Sequence, residues 1–344
     1  MKDGSNDRGL EKGKDVLCGA SDTLYIPLTA RVWASKRFPD LLYDEAALSL
    51  EAYVPESVLR ASPEYAMMAS AARDFNLDGI ARAFIARHGG CNVIDLGAGL
   101  NALCSRLKDA TDGKDVRSWS VDLPDVIELR RSLLGEGPKE TLIAGDILAL
   151  DWARGIDRSL PSLLIASGVF QYFHEEEVVG LVRDLSELFP LGELAFDATT
   201  KLGIRYANRY VRKTGNTSAP MHFSIDDQAA FLRKTGATLI ERRPFFVETR
   251  RRLGRRLKPF TRLAMWAGDT FAMALVYHLR LAPRPAAAAH GEGSRGLVER
   301  MLGRDEIFAP LPLTPLEGER GRSYEDLIAI GYRDEGEGYR CSGG

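Results

Sequence analysis

The chain has 344 residues, room for one large domain with a substantial core or for two small ones. Its hydrophobic share of 45% and charged share of 27% are those of an ordinary globular protein and exclude a fibrous or wholly disordered chain. A formal net charge of −2 gives no general attraction to nucleic acid or anionic membrane, and no apolar run approaches the ~20 residues of a membrane span.

Residues 1 to about 20 are polar and glycine-rich, and residues 1–22 are expected to be disordered. The first eight residues hold no apolar stretch, so no secretory signal is expected and the cytoplasm is the expected location. Cys18, Cys91, Cys104 and Cys341 are scattered, with no C-x-x-C pair and no histidine beside them, and read as free thiols. No metal site is expected.

From Thr23 the character changes. Leu28, Val32 and Ala34 predict a helix that carries Trp33 and Lys36 and ends before Pro39. A short helix follows over 44–51 and another near 57–60. Met67, Ala71, Phe75, Ile80, Phe84 and Ile85 predict a longer one over 67–87, stopped at His88-Gly-Gly.

Strands and helices then alternate. Strands are expected at Val93-Ile94, 116–121, 141–144, 162–167 and 192–196. Helices are expected between them over 102–110, 125–134 and 175–188. Short apolar strands without period-2 alternation imply a parallel sheet buried on both faces. The alternation lapses at 200–224, where Tyr206, Asn208, Tyr210, Arg212 and Lys213 suit a cap better than a core. It resumes with a helix over 226–235 and two strands, 237–247 and 270–281, expected as an antiparallel pair at one sheet edge. The basic run 250–258 between them reads as a solvated helix face. From Pro283 the chain turns to alanine, proline, glycine and charge, the composition of a tail.

Chemistry concentrates at the strand ends. The first strand runs into Asp95-Leu-Gly-Ala-Gly, where the two glycines let the backbone turn sharply beneath a nucleotide-containing ligand. Asp122 ends the second strand, where an acid accepts ribose hydroxyls, and Asp146 ends the third, within reach of an adenine amino group. Dinucleotide enzymes share this layout. Asp95 occupies a position that is small or apolar in their fingerprint, and Ala102 denies the third glycine, so a methyl-donor site is favoured over a nicotinamide one. Strand-end caps and turn formers are the plain alternative for the three acids.

Val93-Ile-Asp-Leu-Gly-Ala-Gly-Leu, Val121-Asp-Leu-Pro, Ile165-Ala-Ser-Gly-Val-Phe-Gln-Tyr and Ser35-Lys-Arg-Phe resemble the class I S-adenosylmethionine-dependent methyltransferases of the leucine carboxyl methyltransferase and polyketide O-methyltransferase group. The resemblance spans about 23–281. It implies an α/β, Rossmann-like, seven-stranded and mostly parallel sheet with helices on both faces. An N-terminal helical region and a cap insertion after the fifth strand go with it, giving a methyltransferase domain at 23–282. It also implies contacts to S-adenosylmethionine. Lys36 and Arg73 match the pair that holds the donor's carboxylate. Gly97, Ala98 and Gly99 match the loop under its methionine part, with Asp95 beside them. Asp122 with Leu123 matches the ribose site, and Asp146 with Ile147 the adenine pocket. Ser167 stands where the family commonly has the glutamate of Glu-Gly-Val. Asn101-Ala-Leu, with a later Arg106, replaces Asp-Thr-Arg.

A carboxylate acceptor is already a nucleophile, whereas a phenol or alcohol needs a base within hydrogen-bond reach. Tyr172, His174, Tyr206, Tyr210 and His222 are the candidates, with His222 preferred as the base and Tyr172 as a cation–π partner for the sulfonium. The expected activity is O-methylation of a small hydroxyl- or carboxyl-bearing metabolite by a monomer or weak homodimer, with no nucleic-acid or membrane partner. The alternatives are carboxyl methylation of a protein C-terminus and donor binding without catalysis.

Overall fold

Neighbouring residues on the central strands point into different cores. Val93 and Ile94, or Leu163 and Leu164, are adjacent in sequence, yet each pair divides between two hydrophobic clusters on opposite faces of one sheet. The computed structural model describes residues 24–281 apart from 55, 138 and 214–219. The expectations of disorder at 1–22 and of a tail after 283 concern residues outside that set, as do Cys18 and Cys341.

An N-terminal helical region comes first: α1 (Tyr25–Arg37), α2 (Glu45–Ser49), α3 (Glu56–Ala61) and the long α4 (Glu64–Arg87). Asp44 caps α2 by accepting the Ala47 N–H at 2.8 Å. The sheet is built by β1 (Gly90–Leu96), β2 (Asp115–Asp122), β3 (Glu140–Ala144), β4 (Ser162–Ala166) and β5 (Gly192–Thr199), linked by α5 (Leu103–Arg106), α6 (Lys108–Thr111), α7 (Pro124–Leu134) and α8 (Glu175–Leu188). After β5 come α9 (Lys201–Lys213), α10 (Gln228–Thr235), β6 (Thr238–Pro244), α11 (Val247–Leu253), α12 (Pro259–Thr270) and β7 (Ala274–Arg280).

The strand order is β3-β2-β1-β4-β5-β7-β6. The first five strands pair in parallel, and β7 runs antiparallel to both β5 and β6. This is the seven-stranded, mostly parallel sheet that the strand–helix rhythm and the family resemblance imply. One face is packed by α4 with Phe84, Ile85 and Ile80, the other by α8 with Val178, Val182 and Leu185. Each side chain of this size buried against the sheet stabilises the fold by about 1.5–3 kcal/mol.

The structure corrects several sequence boundaries. The single helix expected over 102–110 is two short ones, because Leu107 departs from helical geometry at φ −95 and ψ 5. The fifth strand does not stop at Asp197: pairing with β7 carries it on to Thr199 and encloses Asp197 within the sheet. The cap is a helix: α9 exposes Lys201, Arg205, Arg209 and Arg212 and turns Leu202, Ile204 and Tyr206 inward. The basic run after 250 is a surface helix and turn in which Arg250 pairs with Asp269, Arg252 with Glu248 and Arg256 with Asp40. No helix among the described residues is long and apolar enough to cross a membrane.

Candidate functional site

In an open α/β sheet the ligand crevice forms outside the carboxyl ends of the strands, where the strand order reverses. Here β1 sits between β2 and β4, so the reversal lies between β1 and β4. Asp95 lies at the end of β1, Gly97 and Gly99 follow its tip, and Ser167 and Gly168 follow the tip of β4. The two loops touch. Gly97 has φ +65, and a methyl group there would lie 2.6 Å from Val169 Cγ2. Gly168 has φ +69, and a methyl group there would lie 2.5 Å from Nη1 of Arg73. Glycine is required at both points by conformation and by space.

The loop at 97–101 is held from all sides. Gly97 and Ala98 donate their N–H groups to the Val121 carbonyl, and Gly99 donates to Asp122 Oδ2 at 2.7 Å. The carbonyls of Gly99 and Asn101 accept from buried Arg130, and that of Leu100 accepts from Arg31 at 2.9 Å. Three consecutive N–H groups are thus spent inside the protein. A pyrophosphate-binding loop must keep such groups free, so this loop does not serve a dinucleotide.

Asp95 is buried, and its Oδ2 accepts from Asn101 Nδ2 at 2.8 Å. Its Oδ1 has no hydrogen-bond partner, and burial lifts the carboxyl to about 7, against the pull of Arg130 and Arg106. Asp122 accepts the Gly99 and Leu123 N–H groups, one on each oxygen, which leaves acceptor capacity on both. Leu123 beside it exposes its side chain although large and apolar. Arg73 lies buried between Asp74 and Asp197, at 3.6 and 3.8 Å, and donates no hydrogen bond to either. Burial opposes its charge, but the two carboxylates outweigh it and hold Arg73 above its ordinary value. Asp197 is fixed in turn by accepting the Gly168 N–H at 2.6 Å.

Lys36 does not join Arg73. It sits half-exposed near the end of α1, paired with Glu51. The buried cation near Arg73 is Arg31, whose Nη1 lies 3.7 Å from Asp74. Arg31 shares the inner face of α1 with Leu28 and Ser35, a spacing that was visible in the sequence and calls for a buried acid; Asp44 and Asp74 supply it. Asp146 is exposed and accepts the Leu148 N–H at 2.9 Å, as a turn former does. Ile147 next to it is buried in the core with Trp152.

Ser167 donates its hydroxyl to Asp74 Oδ1 at 3.0 Å. Asn101 is joined to Arg106, which also binds Asp78 and Asp44. The two departures from the family pattern are therefore both wired into one buried polar network, Ser167 through Asp74 and Arg31, and Asn101 through Arg106, joined at Asp44.

On the acceptor side, Tyr172 ends a short turn (Phe170–Tyr172) close to Arg73 and Asp197. Burial raises its phenol and keeps it protonated, with Gln171 and Arg73 pulling weakly the other way. His222 is exposed; its main-chain N–H donates to the Gln171 carbonyl at 2.6 Å, and its ring lies 4.5 Å from that of His174, which is also exposed. Among the described residues no hydrogen bond reaches the His222 ring. Buried Phe223 anchors this segment against Phe170 and Phe231. Asn208 on α9 ties the cap to it through a reciprocal pair with the Met221 backbone. Tyr206 is half-buried on the inner face of α9, and the Tyr210 side chain lies outside the described set.

Residues 28–186 match the leucine carboxyl methyltransferase family model. The chain is 29% identical over 212 residues to the tetracenomycin polyketide synthesis O-methyltransferase TcmP of Streptomyces glaucescens, covering 58% of this chain and 74% of that one. It is 29% identical over 209 residues to the S-adenosyl-L-methionine-dependent methyltransferase dpfgK of Gibberella zeae, covering 55% and 69%. The structure of the mitomycin 7-O-methyltransferase MmcR aligns with a TM-score of 0.41 at 14% identity, over 81% of this chain and 69% of the other.

Proposed function

We propose that this chain, an S-adenosylmethionine-dependent methyltransferase of the leucine carboxyl methyltransferase and polyketide O-methyltransferase family, methylates an oxygen of a small, polyketide-like hydroxyl- or carboxyl-bearing metabolite. The catalytic unit is read as residues 23–282, working as a monomer or weak homodimer. One observation carries the reading of the site. The 97–99 loop has no free N–H groups for a pyrophosphate, while polar atoms without partners remain on Asp95, Asp74 and Arg73 at the β1 and β4 tips. That set suits the zwitterionic amino-acid end of S-adenosylmethionine.

Bound there, the donor supplies a methyl group on a positively charged sulfur for displacement by an oxygen nucleophile. The residues of the chain do the rest by alignment and exclusion of water. Arg73 takes the donor's carboxylate; Lys36, its expected partner in that role, is paired with Glu51 in the ligand-free protein. Asp122 accepts the ribose hydroxyls on the oxygen positions its two backbone donors leave open. Leu123 gives an apolar surface beside them, and Asp146 and Ile147 border the adenine. Tyr172, neutral and aromatic, lines the acceptor side beneath the cap. For a hydroxyl acceptor, His222 removes the proton; a carboxylate acceptor needs no base.

Release of S-adenosylhomocysteine, measured against a panel of phenols and carboxylic acids, tests the reading. Turnover with a subset of the panel is expected, and His222→Ala should slow phenol methylation by about 10²–10⁴-fold while sparing carboxylic acids. Donor binding without turnover on any acceptor would instead mark a silent binder. Turnover on a C-terminal peptide alone would mark a protein carboxyl methyltransferase.

A further inference from the structure

At the tip of β4 the sequence lacks an acid, since Ser167 occupies a position that is acidic in the Glu-Gly-Val form of the motif. The structure nonetheless brings a carboxylate to that point. Asp74, in the middle of α4, is 2% exposed and accepts the Ser167 hydroxyl at 3.0 Å. The same carboxylate lies 3.6 Å from Arg73 Nε and 3.7 Å from Arg31 Nη1. Neither Asp74 Oδ2 nor Arg73 Nε has a hydrogen-bond partner.

Those separations have a consequence for Arg73. Carboxylates at 3.6 and 3.8 Å attract the guanidinium strongly in a buried setting but do not consume its N–H groups. The Ser167–Gly168 turn presses on the same guanidinium, closely enough that only a glycine fits. Arg73 is thereby located by charge and contact, with its Nε left without a hydrogen-bond partner. Asp74 faces Arg31 as well as Arg73, while Asp44, 3.2 Å from Arg31 Nε, divides its charge between Arg31 and Arg106.

We infer that Asp74 and Ser167 together replace a single acidic side chain at the β4 tip. Asp74 supplies the negative charge and Ser167 the hydroxyl that fixes it, so that Arg73 is held against the Ser167–Gly168 turn for the amino-acid end of the methyl donor. Both are positioning residues that act through Arg73. The inference rests on the methyl-donor reading above.

Calorimetric titration with two ligands tests it: S-adenosylhomocysteine, and 5′-methylthioadenosine, which keeps the nucleoside and lacks the amino-acid end. Asp74→Ser should weaken S-adenosylhomocysteine binding by about tenfold to a hundredfold and leave methylthioadenosine within about twofold. Ser167→Glu alone should also weaken S-adenosylhomocysteine binding, because two carboxylates then crowd one site. The double variant Asp74→Ser/Ser167→Glu, with the charge moved onto the loop, should recover to within about threefold of the parent. Should Asp74→Ser not fold, Asp74→Asn removes the charge, keeps an acceptor for Ser167, and should show the same selective loss. Equal weakening of both ligands, or no recovery in the double variant, would overturn the inference. A parent protein that binds neither ligand would instead overturn the donor reading, and the inference with it.

Discussion

Arg106 grips Asp78 through two parallel hydrogen bonds, Nε to Oδ2 at 2.7 Å and Nη2 to Oδ1 at 2.9 Å, in a region closed to solvent. Its remaining nitrogen reaches Asn101 Oδ1 at 2.8 Å and Asp44 Oδ2 at 3.0 Å. Burial works against the charge of Arg106, but Asp78, Asp44 and Asp74 outweigh it and hold the guanidinium well above its ordinary value. The contact thus joins α4, the start of α2 and the glycine loop. Arg106→Ala leaves at least two buried carboxylates short of a partner and should cost about 3–5 kcal/mol of stability in denaturant unfolding. A loss below about 1 kcal/mol would show that the network relaxes without it.

Gly97 meets Val169 across the two strand tips. Gly97→Ala places a methyl group 2.6 Å from Val169 Cγ2 at φ +65, and should destabilise by about 1–3 kcal/mol. Adding Val169→Ala should recover the steric part and leave the conformational part. Strict additivity of the two changes in thermal unfolding would mean that the loops do not bear on each other.

Asp122 holds the loop and, on the proposed reading, the ribose. Asp122→Ala should weaken S-adenosylhomocysteine binding by about 1–3 kcal/mol. Unchanged affinity in calorimetry would reject Asp122 as the ribose acid.

The Asp95 carboxyl, raised from 3.8 to about 7 by burial, binds a proton in the folded state that the unfolded chain has already released. Ligand-free stability should therefore fall as pH rises from about 3.8 to 7. A cationic group placed beside Asp95 favours its ionised form, so S-adenosylhomocysteine affinity should rise from pH 6 to 8. Asp95→Asn should flatten that rise, and a slope that survives the substitution would assign the proton elsewhere.

At the far side of the sheet, His278 lies between Glu193 at 2.7 Å and Glu241 at 3.3 Å. Burial lowers the tendency of this histidine to carry charge, but the two glutamates prevail and raise it above 6.5. The unfolded histidine is the weaker base, so this contribution is complete below pH 6.5 and is lost as pH rises through the folded value. Glu241, drawn from 4.5 to about 2 by His278 and Arg243, contributes above 4.5 and fails as pH falls toward 2. The melting temperature should decline from pH 6.5 toward 9 in the parent and decline less in His278→Gln. Parallel profiles would remove the histidine from the pH response.

What the residues settled alone was what chain neighbours can settle. Strand–helix rhythm, paired apolar runs and the turn at Asp95-Leu-Gly-Ala-Gly depend on local periodicity and on glycine's freedom. From these the parallel sheet and the position of its ligand crevice could be read. The antiparallel final pair was legible too, as two long apolar runs, although the expected bounds 237–247 and 270–281 shrink to β6 and β7 because α11 and α12 form between them. Tertiary structure decided the partners of the charged groups, which come from residues far apart in sequence. Asp74 meets Ser167 across 93 positions, and Asn76 reaches the Phe245 carbonyl across 169. Lys36 and Arg31 are five residues apart on one helix; helical spacing puts Arg31 on the face of Leu28 and Ser35 but does not name the acids that receive it. Packing buried Arg31 against Asp44 and Asp74 and left Lys36 at the surface with Glu51, because a buried guanidinium is tolerable only where acids are waiting for it.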